Sequence, residues 1–260
     1  DLDGDVYNIF ALKDKYILAE EIKGICHIAE RVFLCINNGI IEINSEEAVV
    51  NETYNAIDGI VYSMVELGGM IYVSTSNGLF KFPADSNMQD RSLWQKPISK
   101  TVYTKLVVHD SHLFGCKVKG ADEINLNGTP LNILESTLLY FLSVDNKLIF
   151  GTRNRVFIYE GEYTSRWKNV QVTTNINVNA ITCHNDRYYI AGGMDGLNSC
   201  IREETQFVDM NRLYSINSPR NDLFYHINYE NDRLLVAGGV NTQMPSYYPV
   251  TFMFMEDNGT

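Results

Sequence analysis

The chain has 260 residues, a formal charge of −11 and an isoelectric point near 4.9. Apolar residues at 45% and charged residues at only 20% exclude a disordered chain, and the length is ample to bury a core. The acidic balance, with no basic run anywhere, excludes a general nucleic-acid binder, and no stretch of 18 apolar residues is present to span a membrane.

The first residue is Asp1 and no signal peptide precedes it, so the sequence reads as a mature or excised segment. Sixteen Tyr and 12 Phe, with abundant Ile and Val, favour strands. Residues 1–21 hold two strand-like segments, VYNIFA and KYILAE. One pattern then recurs six times: a strand, a tight polar turn, a strongly apolar strand ending in small residues, a second turn and a third strand. The copies are ICHIAERVFLCINNGIIEI (25–43), YSMVELGGMIYVSTSNGLFKF (62–82), KLVVHDSHLFGCKVKGADEI (105–124), YFLSVDNKLIFGTRNRVFIY (140–159), AITCHNDRYYIAGGMDGLNSC (180–200) and YHINYENDRLLVAGGVNTQM (225–244). The second turn sets the register at Gly39, Gly78, Gly120, Arg155 and Gly196, in steps of 39, 42, 35 and 41 residues. This register assigns 16–32 and 131–142, which read locally as helix, to strands and turns, because coincident copies outweigh local propensity.

The second strand of each copy is almost continuously apolar, as in Met70–Val73 and Tyr188–Ala191, which suits a strand buried on both faces. The small residues that end it (Ser74, Gly115, Gly151, Gly192, Gly238) allow close backbone approach. Asn38-Gly39, Asn77-Gly78 and Asp195-Gly196 supply the positive φ of tight hairpins. A period near 40 with three or four strands per unit is the signature of a β-propeller blade. The expected fold is all-β, a β-propeller of six or seven blades of four-stranded antiparallel sheets, forming a single domain over residues 1–260. VYNIFA and KYILAE either close the ring by pairing with strands from the other end of the chain or belong to a seventh blade. The chain stops in what reads as a turn after VTFMFM, so the natural protein is expected to continue.

Candidate chemistry is sparse. His109-Asp110-Ser111-His112 has metal-like spacing but aligns with the first hairpin turn of every copy. Asp1-Leu2-Asp3-Gly4-Asp5 lacks the glycine and glutamate positions of a calcium loop. His184 has no nucleophile in register, and Cys26 and His27, adjacent on a strand, point to opposite faces. Phosphate loops, dinucleotide fingerprints and zinc-protease motifs are absent from the sequence. The five cysteines (Cys26, Cys35, Cys116, Cys183, Cys200) sit in apolar runs and read as small buried hydrophobes. Asn51, Asn127 and Asn258 lie in glycosylation sequons, relevant only in a eukaryotic secretory setting. Trp94 and Trp167 fall where the outer strand is expected, as inter-blade packing or as a sugar-stacking platform.

The second-turn loops emerge on one blade face and form the expected binding surface: Asn38, Asn77, Lys117, Lys119, Arg153, Arg155 and Asp195. Their cations suit a small anionic ligand held by charge-assisted hydrogen bonds. Tyr247 and Tyr248, in the long irregular loop 241–248, are the expected partner contacts.

DGIVYSMVELGGMIYVSTSNGLFKF (58–82) resembles the two-component-regulator propeller repeat of Bacteroidetes, through Val61, Ser63, Tyr72, Ser74, Asn77, Gly78 and Leu79. Residues 218–259 are similar to the N-terminal propeller of PorZ-like secretion-system proteins, through Pro219-Arg220-Asn221, Leu235–Gly239 and Pro249. Three copies lack the Gly-Leu of the repeat. The resemblance implies a non-catalytic binding or sensing module, periplasmic or at the cell surface, that meets its ligand or partner through loops. No cofactor, metal or nucleic acid is expected; the partner is a glycan or other anionic small ligand, or a protein. Two rivals stay open. An intracellular, cytoplasmic WD-repeat-like scaffold suits the free cysteines but lacks the repeated Trp-Asp and Gly-His. A propeller-fold glycosidase or lyase needs carboxylates clustered at the channel.

Overall fold

A computed structural model describes residues 5–8, 22–44, 49–134, 140–144, 147–151, 155–160, 169–173, 176, 178–192, 196–214, 223–230, 233–239 and 251–256. Apart from one short 3-10 helix, the regular elements among them are strands, the first being β1 (Asp5–Asn8). The chain divides into two compact units, Ile22–Phe141 and Asp1–Glu21 with Leu142–Thr260.

The unit Ile22–Phe141 holds three antiparallel sheets, each laid down in chain order. The first is β2 (Gly24–Ile28), β3 (Arg31–Ile36), β4 (Gly39–Asn44) and β5 (Val49–Tyr54). Next come β6 (Val61–Leu67), β7 (Met70–Thr75) and β8 (Gly78–Pro83), then β9 (Lys105–His109), β10 (His112–Lys117), β11 (Gly120–Ile124) and β12 (Pro130–Leu134).

The other unit holds β13 (Tyr140–Val144), β14 (Lys147–Gly151), β15 (Arg155–Glu160), β16 (Asn169–Thr173), β17 (Ala180–His184), β18 (Arg187–Ala191), β19 (Leu197–Glu203) and β20 (Gln206–Tyr214). These join into one eight-stranded sheet because a single parallel pair, Thr173 with Gln206, links β16 to β20. The last sheet is β21 (Leu223–Glu230), β22 (Arg233–Gly239) and β23 (Thr251–Glu256), and β1 completes it by pairing antiparallel with β23. Strands from opposite ends of the sequence thus share one sheet, the closing arrangement considered for VYNIFA; KYILAE lies outside the described residues.

All-β architecture and four-stranded antiparallel sheets are as expected, but their number is not. The described strands form five sheets, of which three are four-stranded, in place of six or seven separate blades. Two local causes account for the difference. The β16–β20 bridge fuses two sets of four strands. After β8, the chain turns into a 3-10 helix (Arg91–Trp94) where a fourth strand was expected, touching the sheet only through a Leu79–Ser99 bridge.

The repeat is visible in the hydrogen bonding itself. Lys23 donates its N–H to the Cys35 carbonyl, Thr104 to Cys116 and Asn179 to Ala191, each across 12 positions (35−23, 116−104, 191−179) at 2.8–2.9 Å. First-hairpin turns put both central residues at positive φ in Gly68-Gly69, Asp110-Ser111 and Asn185-Asp186, the geometry that matches strand twist.

The continuous apolar runs follow from burial on both faces. Along β7, Ile71 and Val73 enter one cluster with Phe33, Ile40, Val61, Met64 and Phe82. Tyr72, between them, enters another with Tyr103, Leu106, Leu113 and Ile124. Alternate side chains go to opposite faces of a strand, so a strand that fills two cores has no solvent-facing position and takes a polar residue only where it is hydrogen-bonded, as at Ser74.

Two glycines are set by close approach. Gly115 lies against the Tyr103 ring, where an added Cβ would sit 2.4 Å from a ring carbon. At Gly78, φ is +122° and a Cβ would fall 2.2 Å from the Ser99 carbonyl oxygen. Gly78→Ala combines a left-handed backbone with a backbone clash and is expected to cost about 2–4 kcal/mol, measured by chemical denaturation. Gly69→Ala, with open space around it, should lose less.

Candidate functional site

Three of the second-turn residues expected to bind a ligand, Asn38, Asn77 and Lys117, are bonded within the protein. Asn38 (φ 60°) donates its backbone N–H to the Gly59 carbonyl at 2.9 Å and accepts from Gly59 N–H through Oδ1 at 3.3 Å. From the other side, Asn77 Nδ2 donates to the Asp58 carbonyl at 2.6 Å, and Ser76 Oγ accepts from Ile60 N–H at 3.1 Å. The two asparagines therefore meet on one segment, 58–60, and stitch the β4 turn to the β8 turn.

Lys117 and Lys119 flank the β10–β11 turn and have different surroundings. Lys119 is exposed. Lys117 Nζ is 2.5 Å from Asp122 Oδ1, a carboxylate only 1% exposed, whose Oδ2 accepts from Tyr103 OH at 3.2 Å. Its charge is neutralised within the fold. Burial, first, and then the Asp122 charge push the Tyr103 phenol well above its ordinary range. Arg155, in the other unit, is exposed at the start of β15 and pairs in register with Thr173. Arg153, Asp195, Tyr247 and Tyr248 lie outside the described residues, as does Trp167.

Beside the Asn77 turn is a cleft of about 320 Å³ that the sequence did not reveal. Asp58, Asn77, Phe80, Arg91, Trp94 and Gln95 line it, with Ala56 and Ile57. Its volume is in the small-ligand range of about 300–1,000 Å³. Trp94 was expected on an outer strand; it ends the 3-10 helix instead. Asp90 caps that helix, its Oδ1 accepting from Ser92 N–H at 2.8 Å. The indole is fixed edge-on against Phe80 and Phe82, with centroids 5.6 and 5.0 Å away, and donates Nε1–H to the Met88 carbonyl at 3.1 Å. A carboxylate, a guanidinium and the Gln95 amide thus stand beside a held aromatic, while the Asn77 amide is committed to the Asp58 carbonyl. That combination can hydrogen-bond hydroxyls, pair with an anion and stack an apolar ring face.

Several other described titratable groups have partners within the fold. His109 and His112 end the two strands of a hairpin, in register with each other, and His112 Nδ1 lies 2.8 Å from Glu123 Oε1. His184 lies 2.8 Å from the Asn185 side chain, while the neighbouring Asp186 pairs with Lys147 at 2.7 Å. Glu42 accepts three side-chain hydrogen bonds. Arg31 Nη2, Tyr54 OH and Asn51 Nδ2 donate to it at 2.5, 2.7 and 2.8 Å. Burial alone would raise the Glu42 carboxyl, but these three donors together outweigh it and hold the group below its ordinary value of 4.5. Tyr54, buried and facing Glu42, is pushed up to about 12.

Antiparallel meanders recurring every forty residues or so, with second strands buried on both faces, define a β-propeller protein. Residues 1–95 match the family described as the N-terminal β-propeller domain of PorZ of the TSS9 system. PorZ itself, described as an essential bacterial surface component of the type-IX secretion system of Porphyromonas gingivalis, shares the fold. Its TM-score is 0.62 at 21% identity, over 95% of this chain and 34% of that one. The extracellular domain of a hybrid two-component system from B. thetaiotaomicron gives 0.61 at 15%, over 92% and 34%. A luciferin-regenerating enzyme gives 0.69 at 9%, over 98% and 96%. The chain spans about a third of the length of the first two. At these identities the likeness is one of fold. No curated protein matches the sequence.

The chain's resemblance is therefore to PorZ and to two-component-system propellers. The family match falls on residues 1–95, at the opposite end from the 218–259 stretch that carried the PorZ likeness in the sequence.

The Glu42 cluster gives a pH prediction. A carboxyl depressed in the folded state adds stability above its unfolded value, near 4.5, which is lost as pH falls through the folded value. Glu42→Gln should cost about 1–3 kcal/mol at pH 7 and flatten the acid limb of stability below pH 4.5, read by denaturant melts across pH.

Proposed function

We propose that this chain is a non-catalytic binding and sensing module of an extracytoplasmic bacterial protein, periplasmic or at the cell surface. In this reading it recognises an acidic glycan or similar small anionic ligand on one loop face. The observation that carries the reading is the cleft at the Asn77 turn. All four of Trp94, Arg91, Asp58 and Gln95 line it, and in this reading Trp94 stacks the sugar, Arg91 pairs with the anionic group and Asp58 and Gln95 take hydroxyls. The surface and extracellular roles stated for PorZ and for the two-component-system domain support the compartment. Lys119 in one unit, and separately Arg153, Arg155 and Asp195 in the other, are proposed as secondary contacts, and Tyr247 and Tyr248 as partner contacts.

The number of blades belongs to the same proposal. A single parallel pair separates the eight-stranded sheet into two sets of four, and the Leu79–Ser99 bridge gives β6–β8 a fourth member. Six antiparallel units then carry the six repeats, in one domain over residues 1–260.

The test is a thermal-shift screen against acidic and neutral saccharides, followed by Trp fluorescence titration. A ligand that binds only the folded chain raises its melting temperature. The expected result is a shift with an acidic saccharide that disappears in Arg91→Ala and weakens in Trp94→Phe. A shift untouched by both but lost in Arg153→Ala and Arg155→Ala would move the site to those two arginines. No shift with any saccharide would favour docking of a protein partner and overturn the glycan reading.

A further inference from the structure

We propose that Cys26 and Cys35 are joined by a disulfide when the chain folds in an oxidising compartment. Both residues lie on the β2–β3 hairpin. Gly24 pairs with Cys35 and Cys26 with Phe33, so the two cysteines share one face, offset by two positions. Their sulfurs are 3.7 Å apart. Gly24, directly opposite Cys35, places no side chain between them. The remaining thiols are differently placed. Cys116 lies on β10, and Cys183 and Cys200 lie on β17 and β19 with β18 between them, each in register with Tyr188.

The surroundings also differentiate the two sulfurs. Cys26 Sγ accepts from Met64 N–H at 3.2 Å. The Cys35 thiol hydrogen-bonded to Cys26, outweighing burial and helped by the Lys105 charge, pulls the Cys26 thiol down; the same contact and burial push Cys35 up. That difference belongs to the closed sheet; in the open hairpin either cysteine, once a thiolate, is the attacking form.

The chemistry balances by thiol–disulfide exchange with a small disulfide such as oxidised glutathione. The thiolate of one cysteine attacks one glutathione sulfur, a mixed disulfide forms and one glutathione thiolate leaves. The other cysteine gives up its proton and attacks the cysteine sulfur of the mixed disulfide, and the second glutathione leaves. Two electrons pass from the cysteines to glutathione, and both cysteine protons end on the departing thiolates or in solvent. Both cysteines are buried, so exchange takes place before the sheet closes over them, and the finished bridge is shielded from reductants. The extracytoplasmic reading supplies only the compartment; the ligand cleft plays no part.

The 260-residue chain, exported to a bacterial periplasm, would be acid-quenched, alkylated under denaturing conditions and digested with trypsin. Cleavage after Lys23 and Arg31 puts Cys26 in peptide 24–31 and Cys35 in peptide 32–81. The expected result is that two of the five thiols escape alkylation and the two peptides run as one linked species, about 2 Da lighter than their sum. Cys26→Ser and Cys35→Ser should each leave all their remaining thiols alkylated. Full alkylation of the exported wild-type chain, or a bridge to Cys116, Cys183 or Cys200, would overturn the assignment. Either result leaves the saccharide screen to be judged separately.

Discussion

A sheet that is apolar on both faces cannot exist by itself, and this constraint governs the fold. Tyr72 fills one core while Ile71 and Val73 fill the other, so β7 is stable only between two neighbouring layers. Inside the unit Ile22–Phe141, the sheets β2–β5, β6–β8 and β9–β12 therefore depend on one another. Close packing between them then decides where small residues must stand. Gly115 is small because Tyr103 lies against it. Ser74 is small and polar because its hydroxyl donates to the Tyr103 carbonyl at 2.7 Å and accepts the Tyr103 N–H at 3.0 Å.

Polar groups inside these layers serve as fasteners. Ser63 Oγ accepts from Leu106 N–H at 3.0 Å, linking β6 to β9. Lys117, Asp122 and Tyr103 form a buried chain of donors and acceptors, in which an unpaired member would be expensive. At the turn face the same economy applies: Asn38 and Asn77 spend their amides holding segment 58–60. Part of the cleft lining comes from beyond the repeat. Arg91, Trp94 and Gln95 belong to the irregular stretch after β8, which has no counterpart in the β-strand register.

Much of the fold was legible because the signals were repeated and local. The second-turn glycines, the Asx residues before them and the apolar second strands each recur, and a pattern found six times survives ambiguity in any one copy. Segments with helical periodicity, such as 131–134, are strands, as the register required. What was not legible was unique to one place. The 3-10 helix at Arg91 rests on a single Asp90 cap, so Trp94 was assigned to a strand by analogy with the other copies. Lys117 was read as a free cation at a turn. Its pairing with Asp122 depends on the hairpin turning both side chains to the same buried side. The fusion of two sheets through Thr173 and Gln206 leaves no trace in composition at all.

The pairing of β1 with β23 sets a timetable for the ribosome. Asp5 faces Phe254, so β1 waits for β23, almost 250 residues later. Meanwhile Ile22–Phe141 is one uninterrupted stretch and can settle as soon as it emerges, since its sheets join strands near in sequence. The flanking unit cannot be completed until synthesis has passed residue 256. A nascent or translocating chain would thus carry one finished half and one open edge, vulnerable to misjoining with another copy. The seam that completes the sheet is also the step that ends its period of risk.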